Sequence, residues 1–276
     1  MYNALGRNIY DLRKKCGLTQ EELADKLCVS FQAVSKWENG ASLPDISLLP
    51  AIAGLFNVSI DSMLNYAVEQ QNITAYEKRY DADEYYWGVK PNSMCYDVLK
   101  LLPPDRPVSL LDIGCGEGKD AVFFAKNGYK VSAFDITRSG IEKARRLAEK
   151  HNANVNFFTA DLLSFKLESE FDVIFCSGVL NYIPPEKRRN IFDNLKRHTV
   201  SGGINALNVF VDKPFLPCLP DKESSENLWL SGELSTLYSD WEIHDCSEVI
   251  FDCRSGGVPH KHCMDILIAR NKDGSI

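Results

Sequence analysis

Leu110-Leu111-Asp112-Ile113-Gly114-Cys115-Gly116-Glu117-Gly118 joins an apolar run, an acid and three glycines, and the helical pattern after it begins near Asp120. A short apolar run before a turn reads as a buried strand, and glycines at a strand-to-helix turn let the backbone approach a ligand closely. The spacing speaks against a nicotinamide dinucleotide. That fingerprint is G-x-G-x-x-G, and here the third glycine comes one residue early, with Lys119 in the expected place. Asp112, Gly114, Gly116 and Gly118 are therefore candidates for holding another adenosine cofactor.

Around this loop, apolar runs at 109–113, 130–134, 155–159, 171–175 and 204–211 alternate with helical patterns at 141–151 and 186–198. Such alternation marks βαβ units, so the expected fold is α/β, a Rossmann-like sheet with flanking helices. Two further strands, expected at 242–251 and 264–270, flank Ser255-Gly256-Gly257-Val258-Pro259 and suit an antiparallel pair at the sheet edge.

Upstream the texture is all-α. Leu5, Ile9 and Leu12, then Leu23 and Leu27, Val34 and Trp37, and Ile52 and Phe56 mark the buried faces of four or five short helices. Thr19 with Glu22 forms a capping box, and Ser30 caps a helix that runs to Glu38 before Asn39-Gly40. The polar stretch 65–74 reads as a connector. The expected division is a small helical domain at 1–66, a linker at 67–79 and a larger domain at 80–276.

Composition narrows the function. Of 276 residues, 45% are hydrophobic and 25% charged, which suits a folded globular protein. No apolar run approaches the roughly 18 residues of a membrane span, and the N-terminus lacks a signal-peptide pattern, so a cytoplasmic chain without membrane attachment is expected. The nine cysteines contain no Cys-x-x-Cys pair, which argues against a disulfide framework or a zinc ribbon. Net charge is −7, and six bases against seven acids in 1–66 leave that segment at −1. DNA binding therefore has to be argued from pattern.

The segment from Gly17 to Gly40 resembles the helix-turn-helix of phage-repressor-like (Xre-type) DNA-binding domains, over about residues 5–64. Ala24 permits close approach of the second and third helices, while Val34 and Trp37 bury the third helix's inner face. The resemblance implies that Phe31, Gln32 and Lys36 face base edges and that Gln20 and Asn39 approach phosphates. Gln32 suits adenine and Lys36 suits guanine. Two residues depart from the pattern: Cys28 stands where glycine is common, at a strained position, and Phe31 stands where polar residues are usual. Phe31 either meets a thymine methyl or weakens binding. Two DNA half-sites one helical turn apart would suit a homodimer.

The run Leu111 to Gly118 resembles the first motif of class I S-adenosylmethionine-dependent methyltransferases, and further matches follow in order. Asp135, with Ile136 after it, ends the second strand 21 residues past Gly114, where the family's acid holds the ribose hydroxyls. Asp161 with Leu162 stands where an acid meets the adenine amino group. Cys176-Ser177-Gly178 follows the fourth strand and borders the methionine end. The implied cofactor is S-adenosyl-L-methionine.

Phe215 to Cys218, Ser231-Gly232-Glu233-Leu234, Tyr238, Asp240-Trp241-Glu242 and His260-Lys261-His262 resemble the tellurite-resistance methyltransferase family over roughly 80–270. That family is associated with methylation of tellurium and selenium oxyanions, so a small-molecule acceptor of that kind, a thiol or a related metabolite is implied. The family's catalytic pair is His-Arg; here it is His260-Lys261, and lysine lacks arginine's planar fork. On the residues alone, His260 and His262 share a face if extended, and Cys263 follows. They could orient a soft nucleophile, act as a general base or bind a metal, and with so few ligands no metal site is expected. Tyr80, Tyr86 and Trp87 are expected to form a substrate lid, since aromatic rings supply a dry wall. A different assignment, a regulator whose methyltransferase-like domain senses the cofactor or a metabolite, is compatible with the same motifs.

Overall fold

The computed structural model describes residues 3–56, 58, 60–63, 76–216, 227–253 and 258–272. Pro217, Cys218, the whole 65–75 stretch and residues 255–257 therefore lie outside the described residues. The chain divides into two compact units, Met1–Thr74 and Ala75–Ile276.

Among the described residues of the first unit five α-helices run in order: α1 (Asn3–Lys15), α2 (Gln20–Lys26), α3 (Phe31–Glu38), α4 (Leu49–Phe56) and α5 (Ile60–Met63). Their apolar faces meet at Ile9, Leu23, Val34 and Ile52, all fully buried, and Ala24 is buried in the same core. Both predicted caps form: Thr19 and Glu22 close the capping box, and Ser30 accepts from the Ala33 N–H. Across the core, Arg13 pairs with Glu38 through two hydrogen bonds of 2.6 and 2.8 Å. Burial raises the Glu38 pKa, yet the hydrogen bonds from Arg13 and Gln20 outweigh it and hold Glu38 below the usual range. Cys28 adopts φ 53°, the left-handed strain expected from the sequence.

The second unit opens with helical residues 76–80, here α6, so the expected linker at 67–79 runs four residues too far. Glu77 explains why: its carboxylate accepts from the Arg138 and Ser139 N–H groups, tying α6 to the start of the helix that follows the second strand. Next come α7 (Ser93–Leu101), β1 (Ser109–Ile113), α8 (Lys119–Lys126), β2 (Lys130–Asp135), α9 (Arg138–Lys150) and β3 (Val155–Thr159). They are followed by β4 (Phe171–Cys176), α10 (Pro185–Arg197), β5 (Thr199–Val211), α11 (Glu233–Thr236), β6 (Glu242–Cys253) and β7 (His260–Arg270).

The seven strands lie in the order β3-β2-β1-β4-β5-β7-β6. The first five are parallel, and β7 pairs antiparallel with both β5 and β6. Strand order reverses beside β1, and in open α/β sheets that is where ligands bind, beyond the strands' carboxyl ends. Apolar layers cover both sheet faces, one around Val98, Phe124 and Phe175, the other around Ile174, Phe192 and Trp229. The landmarks Leu234, Tyr238 and Trp241 belong to the second layer; Tyr238 accepts from Asn205 Nδ2 at 2.8 Å, and Glu233 pairs with Arg188 at 2.8 Å. They shape the fold without lining the site.

Candidate cofactor and acceptor site

At the carboxyl ends of β1 and β2, Asp135 organises the glycine loop. Its Oδ2 accepts from the Gly116 N–H at 2.8 Å, and its Oδ1 accepts from the Thr137 N–H at 2.9 Å and hydroxyl at 2.6 Å. Burial nonetheless raises the Asp135 pKa against these bonds. Burial also pushes Asp112 well above the carboxylate range, with the Asp120 charge adding and Lys119 opposing. Gly114 turns here with φ +69°, and a Cβ would stand 2.4 Å from Val179 Cγ2, so only glycine leaves the loop open.

Asp120 accepts from the Asn92 N–H at 2.7 Å, and the Asn92 side chain donates to Ser177 Oγ at 3.0 Å. Asn208 donates to the same hydroxyl at 3.0 Å and accepts from the Gly178 N–H at 2.7 Å. This network joins the starts of α7 and α8 to the end of β4 and to β5; the sequence reading named Ser177 but missed Asn92 and Asn208. Their signal was weak, because isolated polar residues beside strands are common.

These residues border a cavity of about 520 Å³. Gly114, Gly116, Asp112, Asp135 and Ile136 line one end; Phe210, Val249, Phe251, Cys253, His262 and Met264 line the other. Tyr80 and Trp87 form part of the wall, the Trp87 ring N–H donating to Tyr80 Oη at 3.1 Å. The Trp87 backbone N–H donates to Glu117 Oε2 at 3.2 Å, and Glu117 pairs with buried Lys143 at 2.6 Å. The lid residues are thus anchored to the glycine loop itself.

Several expected site residues are placed elsewhere. Tyr86 does not line the cavity; it packs edge-on against Trp87 with ring centroids 4.8 Å apart. Gly118 caps α8 with φ +84° and faces Ala144 of α9, so its smallness serves helix packing. Asp161 turns back on its own chain to accept from the Leu163 N–H at 2.9 Å, and Leu162 packs toward the second apolar layer. Cys176 is fully buried in that layer, and burial raises its thiol pKa. Lys261 is corrected most sharply: it lies on the strand face opposite His260 and His262, paired with Asp252 at 2.8 Å.

β7 begins at His260, earlier than the sequence suggested, and this extended backbone brings His260 and His262 to one side. Their Nε2 atoms stand 2.8 Å apart, His260 Nδ1 is 2.7 Å from the Val258 carbonyl, and His262 is buried with its ring 4.7 Å from Phe210. Register places Cys253 directly across from His260. The sequence reading missed Cys253 because the pairing of β6 with β7 decides its neighbours.

In the first unit the outer face of α3 presents Phe31, Gln32 and Lys36, all exposed, with Asn39 just beyond. Gln20 is only half-exposed, and its amide donates to Glu38 Oε2 at 2.7 Å. That bond fixes the start of α2 against α3.

Residues 73–255 match the family described as tellurite resistance protein TehB. The chain belongs to the TehB family. Residues 9–63 match the helix-turn-helix family, so a helix-turn-helix module precedes most of the TehB-family match. Among curated TehB-family relatives, a Haemophilus influenzae protein named "Probable S-adenosyl-L-methionine-dependent methyltransferase TehB" is 27% identical over 172 residues, 61% of this chain and 59% of that one. The chain thus spans under two thirds of that relative's length. The crystal structure of TehB from Haemophilus influenzae superposes with a TM-score of 0.59 at 24% identity, covering 72% of this chain and 67% of that one. The N-methyltransferase NodS of Bradyrhizobium japonicum, solved with S-adenosyl-L-homocysteine, gives 0.53 at 17% identity, covering 73% and 99%.

S-adenosyl-L-methionine is the cofactor these relatives share, and the residues present here fit it. Asp112 Oδ2 is buried with no hydrogen-bond partner among the described residues, as suits a carboxylate facing a cationic ligand. The Gly114 and Gly116 backbones leave a cradle that side chains would fill. No described helix is long and apolar enough to cross a membrane.

Proposed function

We propose that the chain is a methyltransferase that a helix-turn-helix module brings to DNA, acting on a small, soft acceptor such as a chalcogen oxyanion or a thiol. Bound S-adenosylmethionine supplies a methyl group on a cationic sulfur. Asp112, Asp135, Gly114, Gly116 and Ile136 hold that cofactor, and His260 and His262 orient the acceptor. Tyr80 and Trp87 exclude water. The observation that carries this reading is the single cavity running from the glycine loop to the histidine-bearing face of β5, β6 and β7. Its volume of about 520 Å³ suits a cofactor with a small partner. In-line methyl transfer needs mainly positioning and a dry site, which aromatic walls and buried carboxylates provide.

The exposed α3 face supports DNA binding, and a homodimer on paired half-sites is part of the proposal. The test is to incubate the full chain with labelled S-adenosylmethionine and tellurite, selenite, small thiols or duplex DNA, with His262→Ala as control. Label on a small acceptor that is lost in the variant supports the reading. Tight cofactor binding with no transfer to any acceptor favours a regulator that senses the cofactor.

A further inference from the structure

Three donor groups converge at the acceptor end of the cavity. Cys253 Sγ and the ring nitrogens of His260 and His262 all lie within 4.8 Å of one another. They come from two strands held in continuous register, with Cys253 opposite His260 and Phe251 opposite His262. The strand pleat puts all three donors on one face of the hairpin.

Their chemistry is that of a metal site. One thiolate with two imidazoles suits thiophilic ions such as Zn²⁺ and is unsuited to Mg²⁺ or Ca²⁺. His260 carries the orienting partner that ligating histidines need: Nδ1 lies 2.7 Å from the Val258 carbonyl oxygen, which can only accept. The proton is thereby fixed on Nδ1, and Nε2 presents a lone pair toward His262 Nε2 at 2.8 Å. Without an ion, the His262 Nε2–H donates to that lone pair. Phe210 and Phe251, with ring centroids 4.7 and 5.6 Å from that of His262, give the donors an apolar surround.

We infer that Cys253, His260 and His262 form a three-ligand site for a thiophilic divalent cation, Zn²⁺ or one of similar preference, whose remaining position opens into the cavity. Tetrahedral zinc, with Zn–N of about 2.0–2.1 Å and Zn–S of about 2.3 Å, holds such donors about 3.3–3.6 Å apart. The histidine pair opens by roughly half an ångström and the thiol closes by about 1.2 Å at most, shifts that side-chain rotation accommodates. Three protein ligands with an open fourth position is the pattern of reactive rather than structural zinc. The ligand set stands on its own geometry; its role toward the acceptor rests on the methyl-transfer reading above. In that role the ion takes a thiol as its thiolate, the proton passing to solvent. The sulfur electron pair then forms the new S–CH₃ bond, while the bond from that carbon to the sulfonium breaks and leaves its pair on the departing thioether.

The test uses the reduced, metal-stripped full chain titrated with Co²⁺ and then Zn²⁺. We expect one equivalent of Co²⁺ to give a thiolate-to-cobalt charge-transfer band and four-coordinate ligand-field bands, both displaced by one equivalent of Zn²⁺. Cys253→Ser abolishes the charge-transfer band, and it and His262→Gln each weaken Zn²⁺ binding by about 100-fold or more, since losing even an orienting partner costs about 10–100-fold. Cys246→Ser, an exposed thiol on the other face of β6, leaves the titration unchanged. S-adenosyl-L-homocysteine binding by each variant, read by calorimetry, reports that the unit is folded. A wild-type chain without the thiolate band, or a Cys253→Ser chain that binds Zn²⁺ as well as wild type, overturns the site. Intact metal binding whose spectrum a small thiol or selenite does not perturb overturns its role toward the acceptor and leaves the cofactor reading untouched.

Discussion

Replacing Asp135 with asparagine separates cofactor binding from folding. In the native loop both carboxylate oxygens accept, Oδ2 from Gly116 and Oδ1 twice from Thr137. The best arrangement of asparagine keeps its oxygen on Thr137 and turns its amide toward the Gly116 N–H, donor against donor. The Gly116 N–H loses its acceptor, so the loop no longer holds the shape that cradles the cofactor, and the charge facing a cationic ligand is removed, together weakening binding by about 1–3 kcal/mol. We expect the Kd for S-adenosylmethionine to rise by about 5- to 150-fold. Stability should move much less. An acid whose folded pKa is raised costs stability above its unfolded pKa, so neutralising Asp135 returns part of what the lost hydrogen bond takes. Because burial raises both Asp112 and Asp135, lowering the pH protonates them early, so wild-type affinity should weaken as pH falls, with the loss beginning above the ordinary carboxylate range of about 4. Calorimetric titration across pH, with thermal melts of both proteins, is the assay. Unchanged affinity in Asp135→Asn, or a Tm that falls by much more than the roughly 2–4 °C expected per kcal/mol for a unit of this size, refutes the argument.

Other outcomes test the first unit. Glu38→Ala strands the buried Arg13 guanidinium and should cost about 3–5 kcal/mol, while Arg13→Met with Glu38→Leu should recover most of it; calorimetry of the full chain reads both. Because Glu38 is held below the usual carboxylate range, the pair's stability is complete above the unfolded pKa and is lost as pH falls through the folded one. Cys28→Gly removes the left-handed strain at φ 53° and should stabilise the unit by about 1 kcal/mol, seen as a higher first melting transition. Gln32→Ala and Lys36→Ala should each weaken binding to a selected operator by about 1–3 kcal/mol and relax its base preference, measured by fluorescence anisotropy at fixed salt. A uniform loss across sequences for Lys36→Ala, with a shallower salt dependence, would instead place that lysine on phosphate.

The order of elements, the glycine loop and the helix-turn-helix were determined by the sequence itself, because each rests on local chemistry. Leu110 to Gly118 forms its strand and turn from neighbours a few residues apart, Thr19 and Ser30 cap the helices that follow them, and Cys28 takes the strained turn its position dictates. Asp135 likewise ends β2 where the apolar run before it implied, because a strand end is a local feature. Tertiary structure decided what depends on pairing across the sheet. Lys261 was taken with its neighbouring histidines, yet adjacent residues on a strand face opposite ways, and once β7 extends back to His260 the lysine turns to Asp252. Asp161 and Cys176 stood at expected motif positions, but a turn and the packed layer beneath the sheet took them out of the cavity lining. Cys253 joined the site only through its register with His260, a contact between two strands whose partnership no local pattern specifies.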